Sequence, residues 1–363
     1  MRSLIAALRV VVLTVRGVVL LPIGLVAYWC SGRTPGFGHQ ALIWLFCVTQ
    51  GRSNDFLSRM VSRIRPKIAL DSAAGVLGDL RASALAGYLD RLRADGFIVF
   101  ERALPAEVCD RLTRFALETP AQVRRMDGEG DSERGSAVFD PARPAAVRYD
   151  YSATVLLGNP DVQFLLADRS ILALSQEYLG APPVADVLNM WWHTNYSPHP
   201  DSQAAQFFHF DMDRIKWLKV FVYLSDVGPE NGPHSFVKGS HRTGGIPLSL
   251  LLRGYERLSD QDVEDNYPRE ACMEFSAPRG SIIIEDTRGL HKGAHVRGGP
   301  RLILQLQFSN GLFGAKSPRA RITRVLDPSL QSMVETAPAI YRQYLANNFR
   351  SSARSPFNGG ATR

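Results

Sequence analysis

In the run Gln206-Phe-Phe-His-Phe-Asp-Met212 a histidine and a carboxylate stand two residues apart in an otherwise apolar stretch. Side chains at i and i+2 of a strand leave from the same face, so His209 and Asp211 can converge on one small cation. The spacing predicts a strand end over 206–212. Eighty residues after Asp211, the apolar run Ser281 to Glu285 leads into a turn that carries His291, and Arg301 opens another apolar run, Arg-Leu-Ile-Leu-Gln-Leu-Gln-Phe308.

Two imidazoles and one carboxylate make a facial triad that leaves coordination positions open on a non-haem Fe(II). An arginine on the next strand can face the same cavity, and its fork suits a carboxylate held bidentately. Together these point to 2-oxoglutarate beside iron. His291 is preferred over His295 as the third ligand because it follows the strand directly and stands ten residues before Arg301. Arg301 is preferred over Arg297, which lies in a Gly-rich turn, because alternation places Arg301 on one face with Ile303 and Gln305. An inward arginine is costly without a partner, and a dicarboxylate would supply one.

The ordered series Phe207-Phe-His-Phe-Asp-Met-Asp213, Leu218 to Val227, Glu230-Asn-Gly-Pro-His234, Val237-Lys-Gly-Ser-His-Arg242 and Gly289-Leu-His-Lys-Gly293 resembles the phytanoyl-CoA dioxygenase family of Fe(II)/2-oxoglutarate-dependent enzymes. With the preamble Asp95 to Pro105, the resemblance covers roughly residues 85 to 312. It implies a double-stranded β-helix (jelly roll, cupin-like) core, mainly β with flanking helices. It also implies Fe(II) held by His209, Asp211 and His291, 2-oxoglutarate as co-substrate at Arg301, O2 as oxidant and stimulation by ascorbate. A carboxylate at 211, where Gly or Ala would admit a halide, implies hydroxylation with release of succinate and CO2.

Lys219, Phe221 and Tyr223 share one face of the strand Leu218 to Ser225. Lys219 is a candidate for supporting the co-substrate carboxylates, although a lysine that snorkels to solvent is the plainer expectation. His241 reads as a structural residue near the site and His295 as a loop residue. Trp191, Trp192 and Asn195 are candidates for the pocket mouth.

The succession of strands at 187–193, 206–212, 218–225, 281–285 and 302–308, spaced by Gly, Pro and Asn turns, fits an antiparallel sandwich or jelly roll. Ahead of it, helices are expected over 71–95, 106–118 and 161–179, with a short strand at 97–100. A mobile loop, and a lid candidate, is expected over 120–145. Residues 244–278 read as a partly helical insertion, 327–349 as a terminal helix and 351–363 as a disordered tail. The domain reading is therefore a segment 1–70, a catalytic domain 71–326 with a helical lead-in 71–180 and a jelly-roll core 187–312, and a C-terminal extension 327–363.

Charge separates the first of these from the rest. Residues 1–70 hold nine Lys or Arg and one acid, Asp55, whereas residues 71–363 hold 33 basic and 34 acidic side chains. The body of the chain thus lacks the basic footprint of a nucleic-acid-binding protein. From Leu4 to Cys30 the sequence is strongly apolar, broken by Arg9, Arg16 and Pro22, and a second apolar run, Ala41 to Val48, follows a Gly/Pro turn. Within the first of these stretches the longest uncharged run, Gly17 to Gly32, is shorter than the ~20 residues of an ordinary spanning helix. Two apolar segments with basic flanks predict a membrane-associated hairpin or an in-plane anchor on the inner, cytoplasmic face of a membrane, against the rival readings of a cleaved signal peptide, a tilted spanning helix or a helical layer packed on the barrel. Cys30, Cys47, Cys109 and Cys272 form no metal-binding spacing and read as reduced thiols.

The function expected is hydroxylation of a C–H bond in a small, lipidic or membrane-associated molecule. The alternatives are a catalytically silent jelly-roll protein that binds metal or ligand while tethered to a membrane, and a tethered scaffold.

Overall fold

The computed structural model of the chain describes residues 2–124, 135–201, 204–254, 256–317 and 319–345, with backbone alone for residues 2–7. Its N-terminal layer is three helices, α1 (Arg2–Ser31), α2 (Gly36–Thr49) and α3 (Arg52–Ile64). α2 turns back along α1, and the two backbones meet at glycines: a Cβ on Gly24 would lie 2.7 Å from the Gly38 Cα. Only residues without side chains permit that approach.

Next come a two-residue hairpin, β1 (Ala74–Gly75) and β2 (Gly78–Asp79), then α4 (Ala82–Asp95), β3 (Phe97–Phe100) and α5 (Ala106–Glu118). The helix expected over 71–95 therefore begins only at Ala82. The preceding residues are held extended because Asp168 and Ser170 accept from the Val76 and Leu77 amides, which tucks Leu77 into the core. In the expected loop 120–145, β4 (Ala121–Arg124) and β5 (Ser136–Ala137) pair with each other, and β4 also pairs with β6 (Arg148–Tyr151). Residues 125–134, where a lid would lie, fall outside the described residues.

The helix expected over 161–179 is broken in two after α6 (Ala153–Leu157). α7 (Pro160–Leu166) and α8 (Arg169–Leu179) are separated by Asp168, which is extended and caps α8 by accepting from the Ile171 amide. Such a cap satisfies an amide that a continuous helix would have bonded internally. The remaining elements are β7 (Val184–His193), β8 (Trp217–Tyr223), β9 (His234–Val237), α9 (Leu248–Leu251), α10 (Asp260–Glu264), β10 (Cys272–Phe275), β11 (Ile282–Glu285), β12 (His291–Gly293), β13 (Arg301–Ser309) and α11 (Pro328–Thr336). The terminal helix expected to run to 349 ends at Thr336, where Pro338 follows, and the expected tail lies outside the described residues.

Eight strands form one antiparallel sheet in the order β3-β11-β8-β13-β7-β6-β4-β5, and β10-β9-β12 form a second, smaller one. The small sheet was not legible in the sequence, because its strands are three or four residues long and two of them begin or end on polar residues. The large sheet carries the main core on the side covered by α4, α5, α7 and α8, with Leu188, Val220, Ile284 and Leu304 all buried. On its other side Phe97, Phe221, Tyr223 and Ile303 meet Phe236 and Phe275 of the small sheet. Two facing antiparallel sheets with helices outside make a jelly-roll fold.

A third apolar cluster ties the N-terminal layer to this barrel. Leu21, Leu42, Leu45 and Phe46 bury against Phe208, Phe210, Ile215, Leu251 and Phe313. Asn54 of α3 donates to the Ile215 carbonyl at 3.0 Å, and His39 donates to the Met212 carbonyl at 2.8 Å. Residues 2–64 thus form a helical layer seated behind the His209–Asp211 segment.

Candidate active site

The segment 206–212 is not a full strand. It is held by single bridges, Phe208 to Leu258 and His209 to His291, on either side of the backbone. The His291 amide donates to the His209 carbonyl at 2.8 Å and the His209 amide donates to the His291 carbonyl at 3.0 Å, which sets the two histidines directly opposite each other. Phe208 and Phe210 point away into the cluster under the N-terminal helices. His209 and Asp211 consequently turn toward the space between the sheets.

One donor atom from each of His209, Asp211 and His291 lies within 4.8 Å of the other two, and all three residues are buried. His291 Nε2 is 3.3 Å from Asp211 Oδ2, and His209 Nε2 is 3.8 Å from Asp211 Oδ1. Both Nδ1 atoms are committed elsewhere, to the Phe207 carbonyl at 2.9 Å and the Gly289 carbonyl at 3.0 Å. A carbonyl only accepts, so each Nδ1 carries a proton, which leaves each Nε2 as the ring atom that faces inward. Burial, and then the neighbouring His291, hold the His209 imidazole well below its usual pKa, which keeps it neutral. Burial raises the Asp211 carboxyl, but Lys219 and the two imidazoles more than offset that and keep it ionised.

Lys219 does not snorkel. It is buried on β8, with Nζ 2.5 Å from Asp211 Oδ2 and 3.3 Å from Asp213 Oδ2. His295 stands outside the cluster, with Nδ1 3.4 Å from Gln206 Oε1. His241 is buried behind the site against Gly96 and Phe236, and burial pushes its pKa down to about 4.

Arg301 opens β13 directly opposite His193, the last residue of β7. Its Nη2 donates to His193 Nδ1 at 2.8 Å, while Nε and Nη1 are buried without a partner. Burial lowers its pKa, but only to about 10, so the guanidinium stays charged. Gly293 makes room for it: a Cβ there would lie 3.0 Å from Nη2. His193 in turn is held neutral by burial and by Arg301, and Trp191 Nε1 also donates to its Nδ1 at 3.3 Å.

His209, Asp211, His291, Lys219, His193 and Arg301 line a cavity of about 370 Å³ between the sheets, together with Asn189, Phe221, Ile303, Gln305 and the cations Arg148, Arg257 and Lys316. Trp191 lines it as expected. Trp192 instead stacks on Phe139 at 4.5 Å, and Asn195 is exposed away from it.

Sequence reasoning missed His193, although strand alternation from Asn189 and Trp191 would have pointed it inward. It also missed a buried pair beneath the cluster, His234 Nε2 to Glu285 Oε2 at 2.8 Å. Burial raises the Glu285 carboxyl to about 8 and lowers His234, so this pair is neutral at pH 7.

Two imidazoles and one ionised carboxylate can hold a divalent cation on one side, and the charged guanidinium can receive a carboxylate on the other. On a jelly roll, that pairing defines the Fe(II)- and 2-oxoglutarate-dependent dioxygenases. The profile of the phytanoyl-CoA dioxygenase (PhyH) family matches residues 92–301, more than half of the chain, and the chain belongs to that family. The ectoine dioxygenase of Sphingopyxis alaskensis is 24% identical over 273 residues, which span 68% of this chain and 86% of that protein. Among solved structures, the epimerase SnoN in complex with Fe3+, alpha ketoglutarate and nogalamycin RO is similar at 21% identity and a TM-score of 0.44, over 63% of this chain and 84% of SnoN. HygX from Streptomyces hygroscopicus, with nickel and 2-oxoglutarate bound, is similar at 16% identity and a TM-score of 0.43, over 61% of this chain and 85% of HygX. The protein is a dioxygenase with Fe(II) as cofactor and 2-oxoglutarate as co-substrate.

Proposed function

We propose that this dioxygenase hydroxylates a C–H bond of a lipidic small molecule at a membrane surface, releasing succinate and CO2. In this reading His209, Asp211 and His291 are the metal ligands, and Arg301 receives the distal carboxylate of 2-oxoglutarate. The observation that carries it is the convergence of three ligand atoms beside an arginine with two unpartnered, buried nitrogens. Fe(II), once bound, would supply the activation of O2.

The chain's own residues do the rest. The carbonyls of Phe207 and Gly289 fix both imidazole tautomers. Lys219 holds Asp211 ionised and oriented, and as a second cation in the cavity it supports the co-substrate's carboxylates. His193 takes one of the guanidinium's donors and leaves the other edge free for a carboxylate. Phe221 and Ile303 keep this end of the cavity dry, which strengthens each of these interactions.

The membrane part of the proposal rests on α1. Leu8, Val11, Val15, Val18, Val19, Ile23, Val26 and Trp29 are all exposed along it, at helical spacing. At about 100° per residue, Arg9 and Arg16 fall together along one margin of that stripe. Leu8–Ser31 is long and apolar enough to cross a membrane by composition. Its opposite face, however, is seated on α2 and Phe313, which favours a helix lying in the interface over a free span. The basic residues of 1–70 would then rest on anionic headgroups of the cytoplasmic face.

The test uses the full chain with Fe(II), ascorbate, 2-oxoglutarate and a membrane lipid extract under isotopically labelled O2, with mass spectrometry of the lipids. A labelled oxygen in one lipid species, absent with His209→Ala, is the expected result. Succinate formed without any labelled lipid, and equally without extract, would overturn the lipid reading.

A further inference from the structure

We infer that the part of the substrate entering the cavity is a phosphate-bearing polar group, recognised by Arg257 and Lys316 at the mouth. The inference rests on the dioxygenase reading above and narrows its substrate class.

The cavity is lined by six cations and only two carboxylates, Asp211 and Asp213. Four of the cations are committed within the fold. Arg148 is paired with Asp150 at 2.7 Å and lies 4.4 Å over the Trp191 ring, while Arg214 is held by Asp186. Lys219 bridges Asp211 and Asp213, and Arg301 is anchored by His193. Arg257 and Lys316 differ from these: both line the cavity, both are exposed, and neither pairs with a carboxylate among the described residues.

A hydrocarbon chain drawn past these two groups would strip water from charges and offer nothing in return. A phosphate ester meets both, a point charge from lysine and a fork from arginine. The carboxylate end of the co-substrate is already provided for by Arg301.

Their placement is not that of loose surface charges. Arg257 precedes Leu258, whose amide donates to the Phe208 carbonyl at 2.8 Å, one residue from His209. Lys316 follows Ala315, whose amide donates to the Asp213 carbonyl at 2.8 Å, two residues from Asp211. Both loops also touch the N-terminal layer. The Gly314 amide donates to Thr34 Oγ1 at 3.0 Å, and Phe313 meets Tyr28 edge-on at 5.6 Å. At the other end of α1, the Arg9 guanidinium reaches to 3.8 Å from where a side chain on Gly254 would begin. The helix proposed to lie on the membrane therefore contacts both loops that carry the mouth cations. An amphiphile whose headgroup enters while its chains stay outside suits that juxtaposition.

The experiment is an anaerobic titration of the full chain loaded with Fe(II) and 2-oxoglutarate, followed by the visible charge-transfer absorption of that complex. The probes are dihexanoyl phosphatidylglycerol below its micelle concentration, its water-soluble deacylated counterpart glycerophosphoglycerol, and the uncharged methyl hexanoate. The phosphodiester probes should perturb the band and the methyl ester should not. Arg257→Gln and Lys316→Gln should each weaken binding roughly tenfold, with Arg257→Lys intermediate. Tighter binding of the lipid than of glycerophosphoglycerol assigns a lipid headgroup, and equal binding assigns a soluble phosphate ester to the same two cations. Wild-type affinity in both Gln variants, or a response to methyl hexanoate alone, overturns the inference and leaves the dioxygenase reading standing. Absence of the charge-transfer band in the wild type takes down both.

Discussion

Lys219 Nζ lies 2.5 Å from Asp211 Oδ2, inside the barrel and on the strand next to Glu285. A cation so close to a candidate metal ligand has a specific consequence. It pays the desolvation cost of the carboxylate before any metal arrives, so metal and lysine compete for part of the same negative charge. Lys219→Met should therefore destabilise the metal-free protein by about 3 kcal/mol, the scale for breaking a buried pair. Added Fe(II) should restore more of the melting temperature in this variant than in wild type. Thermal melts with and without metal, under anaerobic conditions, measure both. A metal-induced shift no larger than the wild-type one would show that Lys219 does not share the carboxylate with the metal.

His193 touches Arg301 and makes no contact with the triad. His193→Ala should raise the KM for 2-oxoglutarate roughly tenfold, on the scale of one lost hydrogen bond to a charged group. Fe(II) affinity should stay as in wild type. Steady-state succinate formation against co-substrate concentration, alongside a metal titration, separates this positioning role from general loosening of the site.

The turn that leads to His291 is tied to the N-terminal layer by charge. Arg288 contacts Asp286 at 2.6 Å and Asp55 of α3 at 2.9 Å, and Tyr178 donates to Asp286 at 2.6 Å. Burial raises the Asp286 carboxyl, but Arg288 outweighs it and brings the pKa down to about 2. A folded-state value below the unfolded value of ~3.9 adds stability that is complete above about pH 4 and is lost as pH falls through 2. The contribution is about 3 kcal/mol. Denaturant unfolding at pH 6 and at pH 3 should show this loss beginning in wild type, and Asp286→Asn should flatten it while costing stability at pH 6.

On α1, Val15→Glu combined with Val19→Glu places charges in the exposed stripe without touching the buried side that carries Leu21 and Gly24. Flotation with vesicles containing phosphatidylglycerol should fall at least about tenfold, since each charge opposes insertion by a kcal/mol or more. The melting temperature should hold. Deleting residues 1–70 is a poorer test, because Phe210, Ile215 and Phe313 would lose the side chains that cover them.

The convergence of His209, Asp211 and His291 was legible because their placement follows local rules. His209 and Asp211 are two residues apart, and alternation turns Arg301, Ile303 and Gln305 to one face. His291 could be chosen over His295 from its distance to a strand end. What escaped notice depends on pairings between distant segments. Arg301 is anchored by a histidine 108 residues away, placed there only by the register of β7 on β13. His234 and Glu285 meet across the barrel from different sheets. The apolar N-terminus reads as a membrane segment or as a helical layer on the barrel, and nothing in its periodicity announces that Leu21 and Phe46 would sit behind the loop that carries His209 and Asp211. Asp168 is a similar case. Its cap on α8 breaks one expected helix, and its bond to Val76, 92 residues away, delays the start of another.

The most direct measurement is conversion of 2-oxoglutarate to succinate by the full chain with Fe(II) and ascorbate, comparing wild type with His209→Ala, Asp211→Ala and His291→Ala. Each variant should lose on the order of a hundredfold or more, because three protein ligands are needed to fix an open metal site. Equal background turnover in wild type and all three variants, with iron bound to the wild type, would contradict the assignment of the triad and leave a metal-binding jelly roll without catalysis.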